Sequence, residues 1–233
     1  MPPSSSFIFS FEIFDFILFI NFKIGSMNKS RLEAFSDGVF SIVMTLLIFN
    51  VKVPVLTKPF TNTDLWLSLG AVWPILFIYF LTFFVLSFFW INHHVLFESF
   101  AKSIDHKLTV LNLIYLMFLV LVPFTASLWG AYDSYQPAVI LYGFNIFIIV
   151  LCSMWMGSYI LKTPEISHDD ITDRMIKRGQ FRSRLTLVSY AIGIILSFVH
   201  PVLAGLFYLL PVVFNITPGS LNFLEKKLGF KIE

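Results

Sequence analysis

Six apolar runs, at residues 35–55, 65–91, 109–130, 138–161, 185–199 and 202–217, follow one another with polar or Pro/Gly-rich punctuation between them. Runs of roughly 15 to 25 residues match what an α-helix needs to cross a ~30 Å hydrocarbon layer. A soluble domain of this size has no core large enough to bury them all, so lipid has to be the missing partner. The expected fold class is therefore all-α, a polytopic membrane protein with six transmembrane helices. The composition agrees, at 57% hydrophobic, 13% charged and mean hydropathy +0.82. Pro74 and Pro123 lie inside the second and third runs and are read as bends, because neighbouring groups in a membrane helix satisfy the carbonyl that proline frees.

The N-terminal stretch departs from this pattern. Residues 7–24 are apolar but interrupted by Glu12 and Asp15, and nothing before Lys23 is basic. An acid at bilayer depth costs on the order of 2.5 to 3.5 kcal/mol on insertion scales, which argues against a span. A signal peptide needs a basic n-region, which is missing. The expected organisation is a weakly ordered extension over 1–26, with Met27 as a natural start, a six-helix domain over 27–217, and a cytoplasmic tail over 218–233.

Basic residues set the orientation. With six crossings, Lys29, Arg31, Lys102, Lys107, Lys162, the 174–184 cluster, Lys226, Lys227 and Lys231 share one side, and only Lys52 and Lys58 fall opposite. The positive-inside rule then puts both termini in the cytoplasm. A five-span reading, with 185–217 as one broken helix, would export the last three lysines, so a tight hairpin at His200 and Pro201 is preferred. The segment 162–184 mixes Lys162, Arg174, Lys177, Arg178, Arg182 and Arg184 with Glu165, Asp169, Asp170 and Asp173. It reads as a solvated loop or short helix, with a lipid head-group contact as the functional alternative.

A formal net charge of +2, without a basic block interleaved with aromatics, removes nucleic acid as a partner. The single cysteine, Cys152, sits in an apolar run and allows no intrachain disulfide. No nucleophile elbow, P-loop, zinc-protease, Cys-x-x-Cys or dinucleotide motif occurs, so no catalytic residue, cofactor or metal ligand is assigned and the chain reads as a non-enzyme. His93 and His94 are adjacent and do not share a helix face, which disfavours a zinc site between them.

The first run holds the most chemistry. Ala34, Gly38, Ser41 and Thr45 recur at spacings of four, three and four, a narrow face that permits close helix approach. Asp37 lies just inside the apolar boundary and needs a partner such as Arg31, a helix N-terminus or a polar group from another helix. Ile42, Leu46 and Phe49 follow on an overlapping face. Around an axis they would stack apolar rings beside a hydroxyl ring and gate by dewetting; without an oligomer they are a packed or lipid-facing stripe.

The run Arg31-x-x-x-Phe35-Ser36-Asp37, with Ile42 five residues after the aspartate and Thr45 three beyond, resembles the first-helix signature of the lysosomal potassium-channel family called transmembrane protein 175, above all its bacterial members. Trp90-x-x-x-His94 at the end of the second run supports the resemblance. It implies a homotetramer in the bacterial inner membrane, with the first helix of each subunit lining a pore for potassium, the permeant ion. On that pattern Ile42 is the constriction and Thr45 the threonine layer linked to potassium preference. Leu46 and Phe49 extend the pore face by helical spacing. Arg31, Phe35, Ser36, Asp37, Trp90 and His94 would form a structural network tying the first helix to the second and third, and His94, an imidazole beside a carboxylate, would be its proton-sensitive element. Two rival readings stay open: a secondary transporter, disfavoured because no acid or base lies deep in the runs, and a non-conducting scaffold.

Overall fold

The computed structural model describes residues 28–217 together with Gly219 and Ser220. The expected N-terminal extension and Met27 lie outside the described residues, as does nearly all of the expected C-terminal tail. Among the described residues the fold is helical, without a β-strand.

Helix α1, Lys29–Leu46, starts where the Asn28 side chain accepts the Ser30 backbone N–H at 3.1 Å. It runs into one 3-10 turn, Leu47–Asn50, and there the Asn50 amide donates to the Pro123 carbonyl at 3.1 Å. The first apolar run extends to residue 55, but the helix stops at Asn50 and residues 51–55 are not helical. Pro54 cannot donate to a continuing helix.

The second run corrects the reading of Pro74 as an internal bend. Helix α2, Asn62–Ala71, ends and α3, Trp73–Val95, begins on either side of Val72. Pro74 is the second residue of the new helix, where a missing N–H leaves no bond unmade. A π-turn, Leu96–Phe100, extends α3. Pro123 is likewise the second residue of its helix, since α4 (His106–Val120) and α5 (Val122–Ala131) meet at Leu121, but these two together make one span, so here the break is a bend within it. Helix α6, Gln136–Lys162, is unbroken.

The mixed-charge segment 162–184 divides in two. Residues 163–172 form a loop, tied to the end of α3 by the Lys102 N–H to Ile166 carbonyl bond (2.7 Å) and the His168 N–H to Phe100 carbonyl bond (3.0 Å). From Asp173 onward the charged residues occupy the opening turns of α7, Asp173–Ser197, capped by Thr172. Helix α8, Pro201–Ile216, follows after a three-residue turn, so the chain reverses at His200 and Pro201.

Among the described residues, four stretches are long and apolar enough to cross a bilayer: Lys29–Asn50, Trp73–Phe100, His106–Ala131 and Gln136–Lys162. The core between α6, α7 and α8 is a knot of rings. Tyr208 stacks on Tyr190 at 5.0 Å and 13°, meets Trp129 edge-on at 5.8 Å, and donates its hydroxyl to the Val139 carbonyl at 3.2 Å. Glycine is required on two sides of this ring: a Cβ on Gly143 would lie 2.0 Å from the Tyr208 hydroxyl oxygen, and one on Gly193 would lie 2.5 Å from the ring. Against this block α3, α4 and α5 pack, and α1 contacts all three.

Candidate functional site

Helix α1 has two unlike faces. Leu32, Ser36, Phe40, Val43 and Leu47 point inward and are buried at helical spacing. The opposite face, Ala34, Gly38, Ser41, Ile42, Thr45, Leu46 and Phe49, is exposed. Ile42 is 59% and Phe49 75% exposed, large values for side chains of this kind. In its most apolar window this span is 28% buried, close to the 33% of the span at 73–100 and below the 50% of the spans at 106–131 and 136–162. Among the described residues, nothing covers the outer face of α1.

That face is uncharged from Gly38 to Asn50 and carries two hydroxyls, Ser41 and Thr45. The Thr45 hydroxyl lies 2.9 Å from both the Ser41 and the Ile42 carbonyls. Its single proton is thereby committed to the backbone, and the oxygen lone pairs remain turned outward as acceptors. An apolar residue, a hydroxyl oxygen one turn on, and further apolar residues beyond it are what a water-filled axis would need to combine a dry constriction with a cation-attracting layer.

Polar bonds pin the inner edge of α1 to its neighbours. The Ser36 hydroxyl donates to the Leu32 carbonyl at 2.9 Å and accepts the Asn112 amide of α4 at 2.9 Å. The Asn112 carbonyl oxygen meets His93 Nε2 of α3 at 2.7 Å, so three helices share one buried chain of hydrogen bonds. With the amide oxygen as acceptor, the His93 nitrogen is the donor. Aromatic rings close over it: Phe97 at 4.6 Å, Tyr115 at 5.6 Å and Phe40 at 5.7 Å. A second, more exposed string begins at Asp37, whose carboxylate accepts the Trp90 indole N–H at 2.9 Å, while His94 stacks on the indole at 6.1 Å and 21°.

Of the six residues expected in one network, Ser36, Asp37, Trp90 and His94 thus fall into two strings. Arg31 and Phe35 do not join either. Both are exposed on the outer side of α1, and among the described residues Arg31 forms no ion pair with Asp37. Two members escaped the sequence reading, His93 and Asn112. Trp90 and His94 do share a face, as the spacing of four requires, and Trp90 reaches α1 from it, but the face that meets α4 as well as α1 lies one residue round, at His93. The signal that points to it is Asn112 itself, an amide deep in an apolar run that has to find a partner.

The family model for the endosomal/lysosomal potassium channel TMEM175 matches residues 31–123, the stretch that holds α1, the Trp90 string and the buried Ser36–Asn112–His93 chain. A potassium channel of Streptomyces collinus is 32% identical over 178 residues, covering 74% of this chain and 84% of that one. A potassium channel of a Chryseobacterium species is 28% identical over 191 residues, covering 82% and 94%. Among solved structures, the crystal structure of a lysosomal potassium-selective channel TMEM175 homologue from Chamaesiphon minutus superposes with TM-score 0.68 at 27% identity, covering 80% of this chain and 95% of that one. Relatives matched over most of their length, and a shared fold around the same first helix, lead to one conclusion: this chain is a multi-pass membrane protein and a bacterial member of the TMEM175 ion-channel family.

Proposed function

We propose that the chain is a subunit of a potassium-selective channel, a homotetramer of six-helix subunits in the bacterial inner membrane with both termini cytoplasmic. The observation that carries this reading is the divided burial of α1, whose inner face is sealed into the subunit while the face with Ile42, Thr45, Leu46 and Phe49 is left exposed by the described residues. Four such faces around an axis enclose a conduit; a single one cannot. Ile42 then forms the dry constriction that gates the pore, Leu46 and Phe49 continue its apolar wall, and the outward oxygens of Thr45 form the layer that discriminates between cations. The α7/α8 hairpin supplies the fifth and sixth crossings, with the basic turns of α7 on the cytoplasmic side. The potassium named for the relatives supports the choice of ion.

The test is flux through purified protein in liposomes. Potassium passes passively down its gradient in the channel reading; obligatory exchange of a substrate or coupling ion would make the protein a transporter, and absence of flux a scaffold. Ile42→Asn wets the constriction and raises conductance severalfold, and unchanged current removes Ile42 as the gate. Thr45→Val keeps the shape but deletes the acceptor oxygen. Its reversal potential under opposed potassium and sodium should move toward zero, and an unaltered value rejects the selectivity role. Asp37→Ala strips the Trp90 N–H of its acceptor, so loss of assembled tetramer at unchanged selectivity is expected; the reverse pattern would assign Asp37 to the pore.

A further inference from the structure

Helix α2 is ten residues long, and an isolated helix shorter than about 12–15 residues is marginal in water. Packing does not make up the difference, since α2 buries none of its residues. Its composition changes along the axis. Asn62, Thr63 and Asp64 form a polar, capped start, and from Leu65 to Ala71 every side chain but that of Ser68 is apolar. Trp66 is 74% and Trp73 65% exposed, and they stand seven residues apart on one face. Across the break, where Val72 keeps right-handed helical backbone angles, the face carries on at spacings of four, three and four through the exposed rings of Phe77, Phe80 and Phe84.

The depth of this face follows from its neighbour α5. A Cβ on Gly130 would lie 2.7 Å from Ile75 Cγ1, so the two antiparallel helices are level there. Two residues outward on each, Trp73 and Tyr132 reach a common level, where Tyr135 meets Tyr132 edge-on at 6.0 Å. Both tyrosines are exposed. Exposed Trp and Tyr rings gathered at one level mark the boundary between bilayer and water. Trp73 is also the first residue of its span, and α2 lies on the water side of it.

We propose that α2 is an interfacial helix, seated among the lipid head groups of the leaflet that Trp73 borders, with Trp66 and Trp73 as its anchors and the Thr61–Asp64 cap in water. An indole places its ring in the apolar boundary and its N–H among head-group oxygens. Neither Trp66 nor Trp73 has a hydrogen bond among the described residues, whereas the Trp90 N–H is taken by Asp37. On α3 the same face meets the lipid around a multi-pass protein, so α2 continues an interface that is already present. Head-group seating also supplies the stabilisation that a short helix lacks in water. A second copy fits this face poorly. Helices meet in a membrane through small residues, which α1 offers at Ala34, Gly38 and Ser41, whereas here Gly70 is the one small member among indole and phenyl rings.

The experiment is site-directed spin labelling of the full-length protein, with Cys152→Ala as background, in vesicles of phosphatidylcholine and phosphatidylglycerol. Single labels are placed through Lys58→Cys, Leu67→Cys and Phe80→Cys, which leave both tryptophans intact. Oxygen concentrates in hydrocarbon and a nickel chelate in water, so the ratio of their collision rates reports depth. The ratio at 67 should lie several-fold above that at 58 and several-fold below that at 80. A ratio equal to the one at 58 puts α2 in water, and one equal to that at 80 puts it in hydrocarbon; either overturns the proposal. A label at 67 shielded from both reagents means that a second copy covers the helix, and overturns it equally. The anchor is tested without a label: Trp66→Ser should speed hydrogen exchange of the 65–71 amides several-fold in the same vesicles, and Trp66→Tyr should restore most of the protection. Exchange unchanged in Trp66→Ser rejects the anchor and the proposal with it.

Discussion

Gly38 and Gly143 are both glycines within apolar helices, yet a methyl group added to the first meets nothing within 4 Å, whereas one added to the second would lie 2.0 Å from the Tyr208 hydroxyl oxygen. The two positions mark the extremes of the molecule. Around Gly143 the chain closes on itself: α6 supplies the glycine, α8 the tyrosine, and α7 answers from the other side with Gly193 and the Tyr190 ring. Around Gly38 no described residue closes over the outer face of α1. Lipid gives little apolar driving force between helices, so association in a membrane depends on packing and polar bonds. The ring knot holds its three helices by packing on several sides, whereas α1 is packed on its inner face alone and pinned there by a few hydrogen bonds.

The same substitution at the two sites should therefore give the largest contrast. Gly143→Ala forces the Tyr208 ring against Tyr190 and the Gly193 backbone, a case of overpacking that costs about 1–3 kcal/mol and sometimes more. Its thermal denaturation in detergent should shift down by several degrees, and part of the protein should be lost to aggregation. Gly38→Ala should leave the isolated subunit as stable as before, while any effect it has appears in assembly, where close approach of neighbouring copies matters. Equal destabilisation at both sites would erase the distinction between a closed and an open region.

Asn112→Leu probes the hydrogen-bonded edge. Leucine leaves the His93 nitrogen without its acceptor and the Ser36 oxygen without a donor, at a cost of about 1–2 kcal/mol in a membrane interior. The loss should fall on the seating of α1: faster proteolysis or hydrogen exchange in 29–50, with the α7/α8 hairpin protected as before. Destabilisation spread evenly over both regions would mean that α1 is not separately held.

These two regions were unequally legible in the sequence. The outer face of α1 was readable because helical spacing separates Ile42, Thr45, Leu46 and Phe49 from Phe40, Val43 and Leu47, whether or not the partner of either face is known. The hairpin at His200 and Pro201 was readable from charge, since only a reversal there keeps the last lysines on the basic side. The buried chain of Ser36, Asn112 and His93 was not, because its members come from three helices and local spacing carries no information on which faces will meet. The break at Val72 was hidden for a related reason. Proline tolerates both an internal bend and a helix start, and hydropathy is the same in either case. Gly143 and Gly193 gave no sign of their role, which depends on a tyrosine that lies 65 residues beyond the one and 15 beyond the other.

Helix α2 belongs to neither region, and it sharpens the comparison at the smallest scale. It buries no residue, and Trp66 is 74% exposed, so packing does not hold it. What it has is a capping box: the Asp64 carboxylate accepts the Thr61 backbone N–H at 2.8 Å, and the Asp64 N–H donates to the Thr61 hydroxyl. The bond from the Thr61 backbone, and then the one from its hydroxyl, hold the Asp64 carboxyl below its ordinary value. A carboxylate with a lowered folded-state pKa stabilises the helix in full above its unfolded value near ~3.9, and that contribution is lost as pH falls through the lower, folded value. Acidification below about pH 4 should therefore fray residues 62–65 without lowering the stability of the ring knot, and hydrogen exchange of those amides should quicken before any elsewhere. Asp64→Asn should remove the pH dependence while leaving part of the cap, because an amide oxygen still accepts. If fraying and global unfolding coincide on the pH axis, α2 is coupled to the packed block after all, and the separation between regions held by packing and regions held by single bonds fails at its weakest point.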